Sequence, residues 1–320
     1  MEKSPFFTAF MRLFALCLMS ILGCVSSAAQ NRSPVVVASK ADIEGALLGS
    51  MIALVLEREG IPVERRLSFG PTQKVREALL SGEIHIYPEY TGNGAFFHNM
   101  AADPVWKTPD AAFQTVKRLD AERHNLIWLP RAPANNTWLI AVRGDVARRD
   151  DLTTMMDFAE AVKRSADLKL AASEEFVESQ GALPSFEKTY GFRFPRDRIV
   201  RQPEGDTMKT MRAAVRNAEG VNAAMVYGTD GAITVFDLVV MKDVKGAQIV
   251  YEPAPVVRGE ILQRYPRIAQ ALAPVFGSLT TAKLQSLNAE IVVEEKAPQE
   301  VAQHYLDTLM NAKAGPRTSP

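Results

Sequence analysis

Pro34-Val35-Val36-Val37-Ala38-Ser39 begins a run that ends, some fifty residues on, with Glu83-Ile84-His85-Ile86-Tyr87. The first six residues are a short apolar stretch of the kind a strand buried on both faces shows. Ala41 to Arg58 reads as a helix, with Leu47, Met51, Leu54 and Val55 on one face and Gly60 as its stop. Val63 to Phe69 is a second strand. Gly70-Pro71-Thr72 opens a helix with proline in its first turn, and that helix ends near Gly82. Residues 83–87 form the third strand. A helix over Asp110 to Arg123 and a strand over Leu126 to Leu129 continue the alternation.

The rhythm restarts at Trp138. Strands are expected at 138–142, 168–172, 199–200 and 223–226, with helices at 155–164, 183–190 and 208–217 between them. Two strands, 238–242 and 247–257, and three helices near 260–275, 279–291 and 298–312 close the chain. Alternating strands and helices imply parallel sheets covered by helices, and two such runs imply two α/β lobes. Ligands of these folds sit outside the carboxyl ends of the strands, and two facing lobes close on a ligand about a hinge.

The remaining bulk properties narrow the class. The 320 residues are 47% hydrophobic, and Lys+Arg and Asp+Glu each count 37. That balance lacks the basic excess of a nucleic-acid-binding surface. Lys3 and Arg12 precede the apolar run Leu13–Val25, which is short for a bilayer span, and Ser26, Ser27, Ala28 and Ala29 follow it. This is the pattern of a secretory signal peptide cleaved after Ala29. Ile21-Leu22-Gly23-Cys24 loosely resembles a lipobox, so lipid anchoring at Cys24 is the rival processing. Both cysteines, Cys17 and Cys24, belong to this leader. The chain after Ala29 therefore carries no disulfide, thiol nucleophile or thiolate metal site.

The sequence offers little catalytic chemistry. His85, His98, His124 and His304 lack metal-ligand spacing, and HExxH, GxSxG, GxxxxGK[ST] and GxGxxG are all missing. No catalytic residue, metal ligand or cofactor is expected. Four aromatic residues stand out because each lies next to a turn on the presumed cleft side: Tyr90 at the strand end Tyr87-Pro88-Glu89-Tyr90-Thr91-Gly92-Asn93-Gly94, Trp138 at the change between the two runs in Asn135-Asn136-Thr137-Trp138, Tyr227 after a strand in Tyr227-Gly228-Thr229-Asp230-Gly231, and Tyr251 where Tyr251-Glu252-Pro253 interrupts the strand at 247–257. A set of such rings suits a cation that cannot donate hydrogen bonds, at ~2 kcal/mol or more per desolvated cation–π contact.

These segments carry a family resemblance. Together with Ser39-Lys40, Phe69-Gly70-Pro71-Thr72, Lys188-Thr189-Tyr190-Gly191-Phe192 and Pro255-Val256-Val257-Arg258, they resemble the glycine betaine/choline/carnitine-binding proteins of osmoprotectant ABC importers, over nearly the whole chain after the leader. The resemblance implies an α/β fold, a two-lobed periplasmic binding protein with a hinge and an interlobe cleft. With the leader at 1–29, the chain is expected to divide into a first lobe from 30–137 and 251–314, a second lobe from 138–250, and a Gly/Pro/Ser-rich, disordered tail at 315–320. The resemblance further implies that Tyr90, Trp138, Tyr227 and Tyr251 box a trimethylammonium group. Lys40, Asn93 and Asn136 would supply polar contacts, Lys40 as a point charge for a ligand carboxylate. The partners it implies are a small quaternary-ammonium solute and permease subunits in the inner membrane, with no nucleic acid, and the protein itself would be a periplasmic monomer.

The chain also departs from that pattern. Trp138 stands where Tyr is common, and Asn136 where an acidic residue is common. Glu175-Phe176-Val177-Glu178-Ser179-Gln180-Gly181 stands where the family often has an arginine that clamps the ligand carboxylate, and it has none. A bidentate Arg–carboxylate contact is strong, so a solute without a carboxylate, such as choline, is the expected alternative to betaine. Other readings of the same cleft are a different small solute, a secreted enzyme using Glu89, Asp230 or Glu252 as acid or base, and a sensing lobe pair.

Overall fold

A computed structural model describes residues 33–164, 167–202 and 205–314. The expected leader with its two cysteines, and the expected tail at 315–320, lie outside these residues. Among the described residues no helix is long and apolar enough to cross a membrane.

Among the described residues, ten strands form two five-stranded sheets. The first holds β1 (Val35–Lys40), β2 (Val63–Gly70), β3 (Ile86–Tyr90), β4 (Leu126–Trp128) and β10 (Pro253–Arg258), in the order β2-β1-β3-β10-β4. The second holds β5 (Trp138–Arg143), β6 (Leu170–Ser173), β7 (Ile199–Gln202), β8 (Ala223–Tyr227) and β9 (Leu238–Val240), in the order β7-β6-β8-β5-β9. The fold is two-lobed α/β, but the sheets are mixed rather than parallel. β10 runs antiparallel to β3 and β4, and β5 antiparallel to β8 and β9. In each sheet the reversed strand is the one next to the passage between sheets. A chain that crosses from one lobe's binding edge to the other must enter the new sheet from that edge, against the direction of its parallel strands.

Helix Ile43–Arg58 shows how the first core forms. Asp42 caps it by accepting from the Gly45 N–H, and the interior has neither proline nor a β-branched run. Leu47, Leu48, Met51, Ile52 and Leu56 are fully buried between the sheet and helix Pro298–Ala314. Each such side chain contributes roughly 1.5–3 kcal/mol of burial. In the second lobe Phe158, Phe176, Phe186 and Phe194 fill the core, with Phe158 stacked on Phe194 at 5.9 Å. Trp106 and Trp128 are sealed in the other face of the first lobe.

Three elements differ from expectation by more than two residues. The third strand starts at Ile86, not Glu83, and runs on through Pro88 to Tyr90. Pro88 stands opposite Pro255, where neither residue has an N–H to give and the ladder needs none exchanged. The strand expected at 247–257 is regular only from Pro253, and 241–252 is largely irregular linking chain. The helix expected at 260–275 is two helices, Gly259–Arg264 and Arg267–Phe276. Pro266 disfavours helical backbone at Tyr265, which turns out of the helix with ψ 70°.

Two strands of chain join the sheets, residues 129–137 and 241–252, and they run side by side. The Asn136 N–H donates to the Tyr251 carbonyl at 2.9 Å, the Tyr251 N–H to Asn135 Oδ1 at 2.8 Å, and the Thr137 hydroxyl to the Ile249 carbonyl at 2.8 Å. Helix Thr281–Val292 makes a third junction. It buries Leu284, Leu287 and Ile291 in the first core and packs its other side on the short helix Ala232–Val235 of the second lobe.

Candidate functional site

The binding edge of each sheet is fixed by its topology. β1 ends at Lys40, β3 at Tyr90 and β8 at Tyr227, while the reversed strands β5 and β10 begin there, at Trp138 and just after Tyr251. Trp138 and Tyr227 are direct partners across the β5–β8 ladder, and Tyr90 and Pro253 across β3–β10. Directly opposed residues put their side chains on the same face. Residues far apart in sequence are thereby delivered to one place.

That place is a cavity of about 760 Å³. Lys40, Tyr90, Asn93, Asn136, Trp138, Tyr227 and Tyr251 all line it. The indole of Trp138 lies 6.2 Å from the Tyr227 ring with 22° between planes, and Phe176 braces the indole edge-on at 6.1 Å. Tyr251 lies on the backbone of Gly92. A Cβ at that position would sit 2.7 Å from the Tyr251 ring, so the glycine of the Tyr-Pro-Glu-Tyr-Thr-Gly stretch leaves the ring its seat. Tyr251 and Tyr90 both have hydroxyl pKa values raised, chiefly by burial.

The polar residues do different work from that expected. Lys40 does not stand free for a ligand carboxylate. Its ammonium is buried and paired with the fully buried Glu89 at 2.5 Å, and it lies 4.6 Å from the Tyr90 ring centre. Glu89 also accepts from the Tyr87 hydroxyl at 2.7 Å, the Tyr90 N–H at 2.7 Å and Asn93 Nδ2 at 2.7 Å. Asn93 therefore completes the shell of Glu89. Lys40, Glu89, Tyr87 and Asn93 form one buried network beneath Tyr90.

Glu44, which sequence reasoning passed over, lines the same cavity. Its carboxylate is buried. It accepts from the Tyr90 hydroxyl at 2.6 Å, Asn136 Nδ2 at 3.3 Å and Asn288 Nδ2 at 2.7 Å. Burial is the largest influence on its pKa and pushes it up to about 7, against the hydrogen bonds that favour the anion. The only sequence signal was a glutamate in a helix's first turn, where acids favour the helix dipole in any case. Asn136 stands where an acid is common in the family the sequence resembles, and the structure puts an acid beside it, from another element.

The rest of the charged lining is acidic. Asp42 and Asp206 cap helices, and Asp230 accepts from the Tyr227 N–H at 2.7 Å with its pKa raised by burial to about 6. Glu175 reaches the cavity from the stretch where an arginine is absent, with Ser179 beside it. No lysine or arginine of the second lobe lines the cavity among the described residues. Of the acids considered for catalysis, Glu89 is spent on Lys40, Asp230 on the turn after β8, and Glu252 on Arg131.

Known proteins resemble this chain in sequence and in fold. Residues 33–308 match the family model described as the substrate-binding domain of ABC-type glycine betaine transport systems. The chain is 49% identical over 286 residues to the glycine betaine-binding protein YehZ of Escherichia coli, covering 89% of this chain and 94% of that one. The solved apo structure of YehZ superposes with a TM-score of 0.79 at 50% identity, over 86% of this chain and 98% of that chain. A glycine-betaine-binding protein of Pseudomonas aeruginosa is 30% identical over 298 residues, 91% of this chain and 93% of that one. The ergothioneine transport permease/ergothioneine binding protein EgtU of Helicobacter pylori is 29% identical over 309 residues, which span 96% of this chain and 53% of that protein. A match over most of the chain, in sequence and in both lobes of the fold, makes this protein a member of the family of substrate-binding domains of ABC-type glycine betaine transport systems.

Proposed function

We propose that the protein is a periplasmic binding component that hands a small quaternary-ammonium solute to an ABC permease in the inner membrane, working as a monomer and without catalysing a reaction. The lobes are taken as 30–137 with 251–314, and 138–250. Tyr90, Trp138, Tyr227 and Tyr251 are the box around the cation. Lys40, Asn93 and Asn136 act through the shells of Glu89 and Glu44.

The observation that carries this reading is the charge of the cavity wall. Its one lysine is neutralised by Glu89, and Asp42, Glu44, Glu175, Asp206 and Asp230 face the same space. Aromatic faces and carboxylates together favour a cation and disfavour an anion. A second-lobe carboxylate at Glu175 would repel the acid end of betaine or carnitine. The reading therefore favours a cation without a carboxylate, choline-like, over betaine. The secreted-enzyme alternative loses ground because Glu89, Asp230 and Glu252 are each committed to structural partners.

Calorimetric titration with choline, glycine betaine and carnitine tests the proposal. Choline is expected to bind most tightly and glycine betaine more weakly than micromolar. Submicromolar binding of betaine would defeat the preference, and no binding of any of the three would defeat the reading.

A further inference from the structure

Two carboxylates are buried at this site, and they differ in one respect. Glu89 has Lys40 at 2.5 Å. Glu44, with comparable burial, has no lysine, arginine or histidine hydrogen-bond partner among the described residues; its donors are the hydroxyls of Tyr90 and Thr229 and the amides of Asn136 and Asn288. A buried carboxylate without a counter-ion is held as the neutral acid or waits for a cation. Both amides turn their N–H groups to it and leave their carbonyls, Asn136 Oδ1 and Asn288 Oδ1, without hydrogen-bond partners. Oriented in this way, they favour the ionised form.

Glu44 is also wired to both lobes. Tyr90 is a ring of the proposed box, Asn136 lies in one linking segment, and Asn288 sits on helix Thr281–Val292 and also donates to the Thr229 carbonyl of the second lobe at 2.9 Å.

We propose that Glu44 is the binding partner that supplies the counter-charge for the solute: a cation entering the box converts its carboxylic acid to carboxylate, and the proton leaves to solvent. The balance is simple. Protonated Glu44 and a free cation become a carboxylate–cation pair and one released proton. The inference rests on the quaternary-ammonium reading above and adds a residue and a proton to it.

Other groups face Glu44 and must be separated from it. Asp42 lies two residues upstream on the same helix turn and raises the Glu44 pKa slightly. The Tyr90, Tyr227 and Tyr251 hydroxyls titrate far above neutrality. Lys40 is held by Glu89, and Glu175 and Asp206 lie across the cavity. None of the four histidines lines it. Asp230, raised to about 6, is the one rival for titration in this range.

The test uses choline, which has no group that titrates between pH 5.5 and 8. Calorimetry at pH 6 in buffers of different ionisation enthalpy reads the protons released per choline bound. A group near pKa 7 that ionises fully on binding releases about 0.9 proton at pH 6 and weakens affinity about ten-fold from pH 8 to pH 6. Glu44→Gln is expected to abolish the release and flatten the pH profile, while Asp230→Asn, which removes one acid of the cavity wall, lowers affinity but still releases the proton. Choline binding with no proton release by the unaltered protein would overturn the inference while the proposed function stands. So would a release that survives Glu44→Gln or disappears in Asp230→Asn. Failure of choline and glycine betaine to bind at any pH would overturn both.

Discussion

At the scale of single residues, Trp138 and Tyr90 are the points on which the proposed box turns. Trp138 is held between Tyr227 and Phe176, and Tyr90 has its hydroxyl tied to Glu44 and its ring beside Lys40. Neither ring is free to reorient, so its face is preorganised. Trp138→Ala or Tyr90→Ala should weaken binding of the preferred quaternary ammonium by more than about ten-fold, the loss of one desolvated cation–π contact, with the melting transition still cooperative. Equilibrium dialysis checks this, and unchanged affinity in both variants would move the box elsewhere. The rings were legible in the sequence because strand ends beside turns face the ligand edge of an α/β sheet. The carboxylates were not. Lys40 and Glu89 are 49 residues apart and Glu44 and Asn288 are 244 apart, and nothing local announces either pair.

At the scale of elements, the junction of helix Thr281–Val292 with the second lobe is a tight one. A Cβ on Gly231 would fall 2.2 Å from the Ala289 backbone nitrogen and 2.5 Å from the Asn288 carbonyl carbon. Backbone cannot yield as a side-chain tip can. Gly231→Ala should therefore push that helix away and cost ~1–3 kcal/mol, the usual range for overpacking, seen as a lower melting temperature. Because Asn288 rides on the helix, affinity should fall with stability; a normal melting temperature would show that the contact is loose. The alternation of strands and helices was legible from apolar runs and turn residues. The reversed strands were not, because antiparallel placement of β5 and β10 follows from the crossings between lobes, a property of pairing rather than of local composition. The break at Pro266 was readable and passed unread.

At the scale of the whole molecule, two covalent links and one packed helix set how the lobes can move. The links are stitched together by Asn135, Asn136, Thr137 and Tyr251, which makes them one hinge band rather than two loose tethers. The proposed box would share its binding energy between lobes, since Tyr90 belongs to one sheet and Trp138 and Tyr227 to the other. A ligand that touches both favours the closed arrangement. Small-angle scattering should show a smaller radius of gyration with saturating solute than without it, and no change in Trp138→Ala under the same conditions. An identical profile in both states of the unaltered protein would mean that the lobes do not close.

The chain has three tryptophans. Trp106 and Trp128 are sealed in the first lobe's core, and only Trp138 borders the cavity. Any solute-dependent change in indole emission therefore comes from one ring above a constant background of two. The binding site carries its own optical reporter, so occupancy can be followed in dilute solution without a label.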